Sequence, residues 1–251
     1  MKHVLLLPVF LFFVCSLSAR DIYVVSVGIC DYKYVNDLKN TERDAKNMAK
    51  LYLTHTKHVK TLLGSKATHD NILSTLKTYF ASASEDDIVV FFFSGHGSKN
   101  GLCAYDTQSS STEVTYLEVQ EALRSCKAKN KQLFIDACFS GGLRSDQAQE
   151  SKTESARMPM SNTEGVMLFL SSRSNEVSKE NLWANNGFFT QYLLKGMKGG
   201  ADADGDKIVT ARELFVFVSS KVSERTNQQQ NPVMWGKFND DMHIMNWNRK
   251  K

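Results

Sequence analysis

The sequence predicts an α/β fold in three layers, a central and mostly parallel sheet with helices on both faces. Three observations predict it. Short apolar runs alternate with segments whose apolar residues recur at helical spacing, and that alternation builds strand–helix–strand units. The run Asp87 to Ser94 (DIVVFFFS) is continuously apolar between polar ends, as in a strand buried on both faces. The composition is globular, with 42% hydrophobic and 23% charged residues, which is too apolar for a disordered chain.

The elements follow in order. Met1-Lys2-His3 is basic, Val4 to Val14 is almost wholly apolar, and Cys15 to Ala19 is small-residue-rich. This order reads as a secretory signal peptide over residues 1–19, and it predicts export to a periplasmic or extracellular compartment. Ile22 to Gly28 reads as a buried strand. Thr41 to Leu53 is a helix through Ala45, Met48, Ala49, Leu51 and Tyr52, with Thr41 placed to cap it. Val59 to Leu63 is a short strand, and His69 to Ala83 is a helix through Ile72, Leu73, Leu76, Tyr79 and Phe80. After the Asp87 run, Thr115 to Cys126 is a helix and Lys131 to Ala137 a strand. Leu143 to Glu164 is polar and aperiodic, a long loop. Gly165 to Leu170 resumes as a strand, Phe188 to Lys198 and Ala211 to Ser223 are helices, and the stretch from Asn231 packs as a strand and tail.

Composition excludes several classes of function. The net charge is only +4 with no dominant basic block, so nucleic acid is not an expected partner. Beyond the leader no apolar run is longer than Ile88 to Phe93, and no membrane span is expected after its removal. Cys30, Cys103, Cys126 and Cys138 form no CxxC pair, and their spacing leaves any disulfide pairing open. A monomer is expected.

In parallel α/β sheets the functional groups lie at the carboxyl ends of strands. Two strand ends carry chemistry here: Ser94-Gly95-His96-Gly97 and Asp136-Ala137-Cys138-Phe139-Ser140-Gly141-Gly142. A cysteine nucleophile reacts as thiolate and needs a base. It also needs backbone N–H groups for an oxyanion, which glycines beside both residues leave accessible. Taken singly, Cys138 reads better as a small buried hydrophobe and His96 as a satisfied core histidine; their joint placement at two strand ends near small residues shifts the reading towards a dyad.

VVFFFSGHGS followed by DACFSGG resembles the caspase-like cysteine peptidases, in particular their metacaspase and bacterial caspase-domain branch. Asp136 and Phe139 depart from the animal caspase signature Q-A-C-[RQG]-G and are similar to the metacaspase form D-[SA]-C-x-S-G. VSVGICDY, TERDAKNMAKLY and NNGFFTQYLLKGMKG resemble the family's first strand, first helix and small-subunit segment. The resemblance implies the caspase-hemoglobinase fold in one peptidase domain over residues 20–251. A large-subunit-like part would run to about 142, a polar linker over 143–164 and a small-subunit-like part over 165–251. It implies Cys138 as nucleophile, His96 as proton-transfer partner, and the N–H groups of Gly97 and Cys138 as oxyanion donors. It also implies an acidic S1 pocket from Asp44, Ser94 and Asp136, taking peptide or protein substrates with Arg or Lys before the cut bond. Asp44 otherwise reads as a surface or capping residue, and Ser94 as a strand-end turn.

The chemistry itself requires no cofactor. Asp202, Asp204, Asp206 and Glu213 match ligand positions 1, 3, 5 and 12 of a calcium loop, but Lys207 stands where that loop needs glycine. The other reading is a polar turn before a helix. Arg144, Lys152 and Arg157 are candidate sites of self-cleavage, because caspase-like domains often cut themselves between these strands. A catalytically silent scaffold and a clostripain- or gingipain-like protease are the alternatives. The intact His96 and Cys138 weigh against the scaffold.

Overall fold

The computed structural model describes residues 20–98, 100–138, 163–171 and 187–248. The leader, residues 139–142, and Arg144, Lys152 and Arg157 lie outside them. Strand β1 (Ile22–Gly28) is followed by helix α1 (Thr41–Leu53), strand β2 (Val59–Leu63), helix α2 (His69–Phe80) and strand β3 (Ile88–His96). A hairpin of β4 (Gly101–Leu102) and β5 (Val114–Thr115) leads into helix α3 (Tyr116–Ala122) and strand β6 (Asn130–Cys138). Strand β7 (Val166–Leu170), helix α4 (Phe188–Lys195), strand β8 (Ile208–Thr210), helix α5 (Ala211–Arg225) and strands β9 (Val233–Lys237) and β10 (His243–Asn246) complete the order.

The central sheet has the order β2-β1-β3-β6-β7-β9. Its first five strands are parallel, and β9 pairs antiparallel with β7. Period-2 alternation sends each strand's side chains to two separate cores. Val25, Val27, Phe91, Phe93, Leu133 and Ile135 pack with Ile72, Leu76 and Phe80 of α2 and Val119 of α3. Val24, Val90, Phe92, Phe134 and Phe169 pack with Met48 and Tyr52 of α1, Leu193 of α4 and Val218 of α5. Helices therefore cover both faces. Because β1 lies between β2 and β3, successive crossovers leave it in opposite directions. The carboxyl ends of β1 and β3 thus form a topological switch point, where clefts open in such sheets.

Several boundaries differ from those the sequence predicts. Helix α2 stops at Phe80 and α3 at Ala122, each passing into tight turns such as Cys126 N–H to Leu123 O at 3.1 Å. The apolar period runs on because Ala83 and Cys126 remain buried after the helical hydrogen bonds have ended. Helix α4 gives way at Gly196–Gly200 to a wider turn. The short strands β4, β5 and β8 have too few residues to show a period. Thr41 does not cap α1: the cap position is Asn40, and the Thr41 hydroxyl donates to the Ile29 carbonyl at 2.6 Å.

Gly28 sets how closely α1 approaches the end of β1. A Cβ there would lie 2.5 Å from the Thr41 carbonyl oxygen and 2.8 Å from Glu42 Cα. Backbone atoms cannot swing aside, so Gly28→Ala should cost about 1–3 kcal/mol, as overpacking does. A thermal melt of the variant checks this.

Candidate active site

Strands β3 and β6 lie side by side and end together. Their register pairs Ser94 with Asp136, Gly95 with Ala137 and His96 with Cys138. Adjacent strands are about 4.8 Å apart, so the histidine and cysteine positions are direct cross-strand neighbours, one strand over from the switch point between β1 and β3.

His96 is held on several sides. Its backbone N–H donates to the Tyr32 hydroxyl at 2.8 Å, and its carbonyl accepts from the Cys103 N–H at 2.9 Å. The Tyr32 and His96 rings lie 5.0 Å apart, tilted by 46°. Ring Nε2 is 2.8 Å from the Asn36 carbonyl oxygen. A carbonyl only accepts, so Nε2 carries the proton, and Nδ1 is the basic nitrogen of the neutral ring. Burial holds the imidazole pKa below its usual value, with the Asn36 bond pulling the other way. The ring is therefore neutral near pH 7, the state a general base needs.

The turn after His96 is braced by the β4–β5 hairpin. Gly97 bridges Leu102, and the Ser98 N–H donates to the Gly101 carbonyl at 2.8 Å. The Ser98 hydroxyl donates at 2.6 Å to Glu113, a buried carboxylate whose pKa burial pushes up.

The structure brings Asp44, Ser94 and Asp136 together below this edge. Asp44 is only 2% exposed, so it is not a surface helix residue. The Ser94 hydroxyl donates to its Oδ2 at 3.1 Å, and the Gly187 N–H reaches its Oδ1 at 3.3 Å. Asp136 Oδ2 accepts from the Thr190 hydroxyl at 2.6 Å and from the Thr190 N–H at 3.2 Å. A Cβ on Gly187 would sit 3.1 Å from Asp136 Oδ2 and 3.6 Å from Asp44 Oδ2, so both carboxylates face one glycine. Burial raises the Asp136 pKa, and hydrogen bonds from Thr190 and Ser171 oppose that rise. Two carboxylates gathered in this way create a negative site suited to a cationic group.

The acidic loop is a separate feature. The carboxylates of Asp202, Asp204 and Asp206 lie within 4.8 Å of one another. Glu213 joins this loop to the next helix: Oε2 accepts from the Thr210 N–H and hydroxyl, closing the capping box of α5, and Oε1 accepts from the Ala203 N–H at 2.9 Å. Asp202 accepts from the Gly205 and Lys207 N–H groups and from Trp247 Nε1 at 2.9 Å. Lys207 adopts the left-handed φ of 72°, the conformation a glycine would have supplied more easily. These bonds account for the loop as a turn that ties the C-terminal Trp247 to α5.

Cys30, Cys103 and Cys126 are free thiols. Burial pushes Cys103 up to about 12, so it is inert as a nucleophile. Among the described residues no helix is long and apolar enough to cross a membrane.

Sequence reasoning missed Tyr32, Asn36, Gly187 and Thr190. Asn36 contributes a backbone carbonyl, which leaves no side-chain signal. Tyr32 and Thr190 stand inside stretches noted only as an element of the fold, and their polar atoms meet the site only after folding.

The three-layer α/β fold, with the His96 and Cys138 positions paired at adjacent strand ends, is that of the caspase-like cysteine peptidases. The family model of the caspase domain matches residues 23–243, and the chain belongs to that family. None of the curated proteins compared matches it significantly. A crystal structure of a protein from Geobacter sulfurreducens is similar with a TM-score of 0.67 at 17% identity, covering 90% of this chain and 98% of that one. At that identity the likeness shows the fold alone.

Proposed function

We propose that the protein is an exported cysteine endopeptidase that cuts after Arg or Lys. The observation that carries this reading is the register that makes His96 and Cys138 cross-strand neighbours. Cys138, as thiolate, attacks the scissile carbonyl carbon. The tetrahedral oxyanion is received by the N–H groups of Gly97 and Cys138. His96, its ring held by the Asn36 carbonyl, takes the thiol proton and gives it to the leaving amine. The amine departs and an acyl-enzyme remains. Water then adds under the same base and releases the carboxylic acid.

Basic specificity rests on Asp44 and Asp136. A buried carboxylate is costly unless a cation or hydrogen bonds compensate it, and a substrate guanidinium or ammonium supplies that cation. The leader pattern of residues 1–19 supports export, and the polar segment 143–164 with Arg144, Lys152 and Arg157 supports self-processing.

A fluorogenic peptide panel that varies only the residue before the cleaved bond tests the reading. Cleavage should be confined to Arg and Lys, by a margin of about 10²-fold or more, as for charge pairs that lose one partner. Preference for Asp or for a large apolar residue would overturn it.

A further inference from the structure

We infer that Thr190 is a positioning residue of the basic specificity pocket, holding the Asp136 carboxylate in the orientation that receives the substrate cation. The inference rests on the reading of Asp44 and Asp136 as that pocket. Thr190 is fully buried and lies in the first turn of α4, whose cap residue, Gly187, has no side chain to offer. The N–H groups of a first helical turn lack partners within their own helix. Here Asp136, on the strand β6, takes the part of the missing cap. Its Oδ2 receives the Thr190 N–H as any cap oxygen would, and receives the Thr190 hydroxyl as well at 2.6 Å.

A helix cap needs only the N–H bond. The hydroxyl bond is extra, and it falls on the same oxygen. Two donors converging on one carboxylate oxygen restrict rotation about the Cβ–Cγ bond. Asp136 then meets a substrate with its plane already set, so less ordering remains for the binding step. The same donors favour the ionised form and so oppose, without cancelling, the burial that raises the Asp136 pKa. The Gly187 N–H does a related service for Asp44. One helix start therefore orients both acidic groups, and residue 187 is a glycine where a Cβ would crowd Asp136 Oδ2 at 3.1 Å and touch Asp44 Oδ2 at 3.6 Å.

Thr190→Val keeps the N–H and the branched shape and removes only the hydroxyl; Thr190→Ser keeps the hydroxyl. Kinetics on peptides with Arg, Lys or norleucine before the cut bond, together with thermal melts, separate the roles. The Val variant should raise KM for Arg about tenfold, the effect of one hydrogen bond to a charged group. Its kcat should change less than about twofold, and norleucine cleavage should be unaffected. The Ser variant should behave as wild type. If the Val variant fails to fold, Thr190→Ala carries the same expectation. An unchanged KM in an enzyme that does prefer Arg would overturn the inference alone. So would an equal loss on Arg and norleucine peptides, which marks a structural role. A wild-type enzyme with no preference for Arg or Lys would overturn the underlying specificity reading and the inference together.

Discussion

Cys138→Ala should abolish peptide hydrolysis, a loss of about 10⁴-fold or more, while leaving the melting temperature unchanged. Position 138 is the last residue of β6 and pairs with His96. Alanine suits a strand end sterically but brings no nucleophile. The other thiols cannot substitute. Cys103 and Cys126 are buried with raised pKa values, and Cys30 is engaged with the Thr41 hydroxyl and the Glu42 N–H. His96→Ala should cost about 10²–10⁴-fold, the range of a general acid–base residue. It should also raise the pH at which a thiol-directed probe labels Cys138, because the partner that takes its proton is gone. Wild-type protein should yield fragments whose new N-termini follow Arg144, Lys152 or Arg157, and Cys138→Ala protein should stay whole. Mass spectrometry of the two purified proteins checks this. Appreciable activity in the Ala variant would assign the chemistry to another residue, and identical fragments in both would assign the cut to a contaminating protease.

Asp136→Asn should lower kcat/KM on Arg and Lys peptides by about 10²-fold or more, because removing one partner of a buried charge pair costs about 2–5 kcal/mol. Asparagine keeps an acceptor for Thr190, so the fold and the cap of α4 persist. The loss should fall on KM and should be absent for an uncharged residue at the same subsite. The pH dependence follows from the direction of the Asp136 shift. Its pKa in the folded protein is raised. The carboxylate is therefore lost as pH falls through that raised value, and KM for Arg should rise on the acid side. In the Asn variant that rise should vanish. A raised carboxyl pKa also means that ionising Asp136 disfavours the folded state, by linkage. The Asn variant should accordingly melt no lower than wild type at neutral pH. A selective loss of stability would make Asp136 a structural group and not a recognition group.

The sequence was informative wherever the physics is local. The boundaries of β1, α1 and β2 stand where the apolar pattern puts them; for β1 and α1 this is because burial on two strand faces or on one helical face dictates residue type position by position. The apolar DIVVFFFS run is followed two residues on by His96, and the KQLFIDA run ends beside Cys138. A parallel sheet collects such strand ends along one edge. Pattern therefore singled out the strand ends that carry His96 and Cys138, and the family resemblance supplied the roles expected of them. Helix ends were less legible, since Ala83 and Cys126 stay buried in turns that continue the period without continuing the helix.

Only the tertiary structure decided how the site is held. The Asn36 carbonyl meets His96 from 60 residues away, the Gly187 N–H meets Asp44 across 143 residues, and Thr190 meets Asp136 across 54. Two of these contacts use backbone atoms that every residue possesses, and the third uses a hydroxyl that would serve equally well at a helix surface. Glu213 shows the converse, a residue whose spacing fits a metal loop and whose further partners appear only on folding: Oε2 closes the cap of α5 and Oε1 accepts from the Ala203 N–H. Apolar burial is a property of single residues averaged over a face, so it can be read along the chain. Hydrogen-bond partnership is a property of pairs, settled only when the sheet order places β1, β3 and β6 beside one another and the start of α4 beneath them.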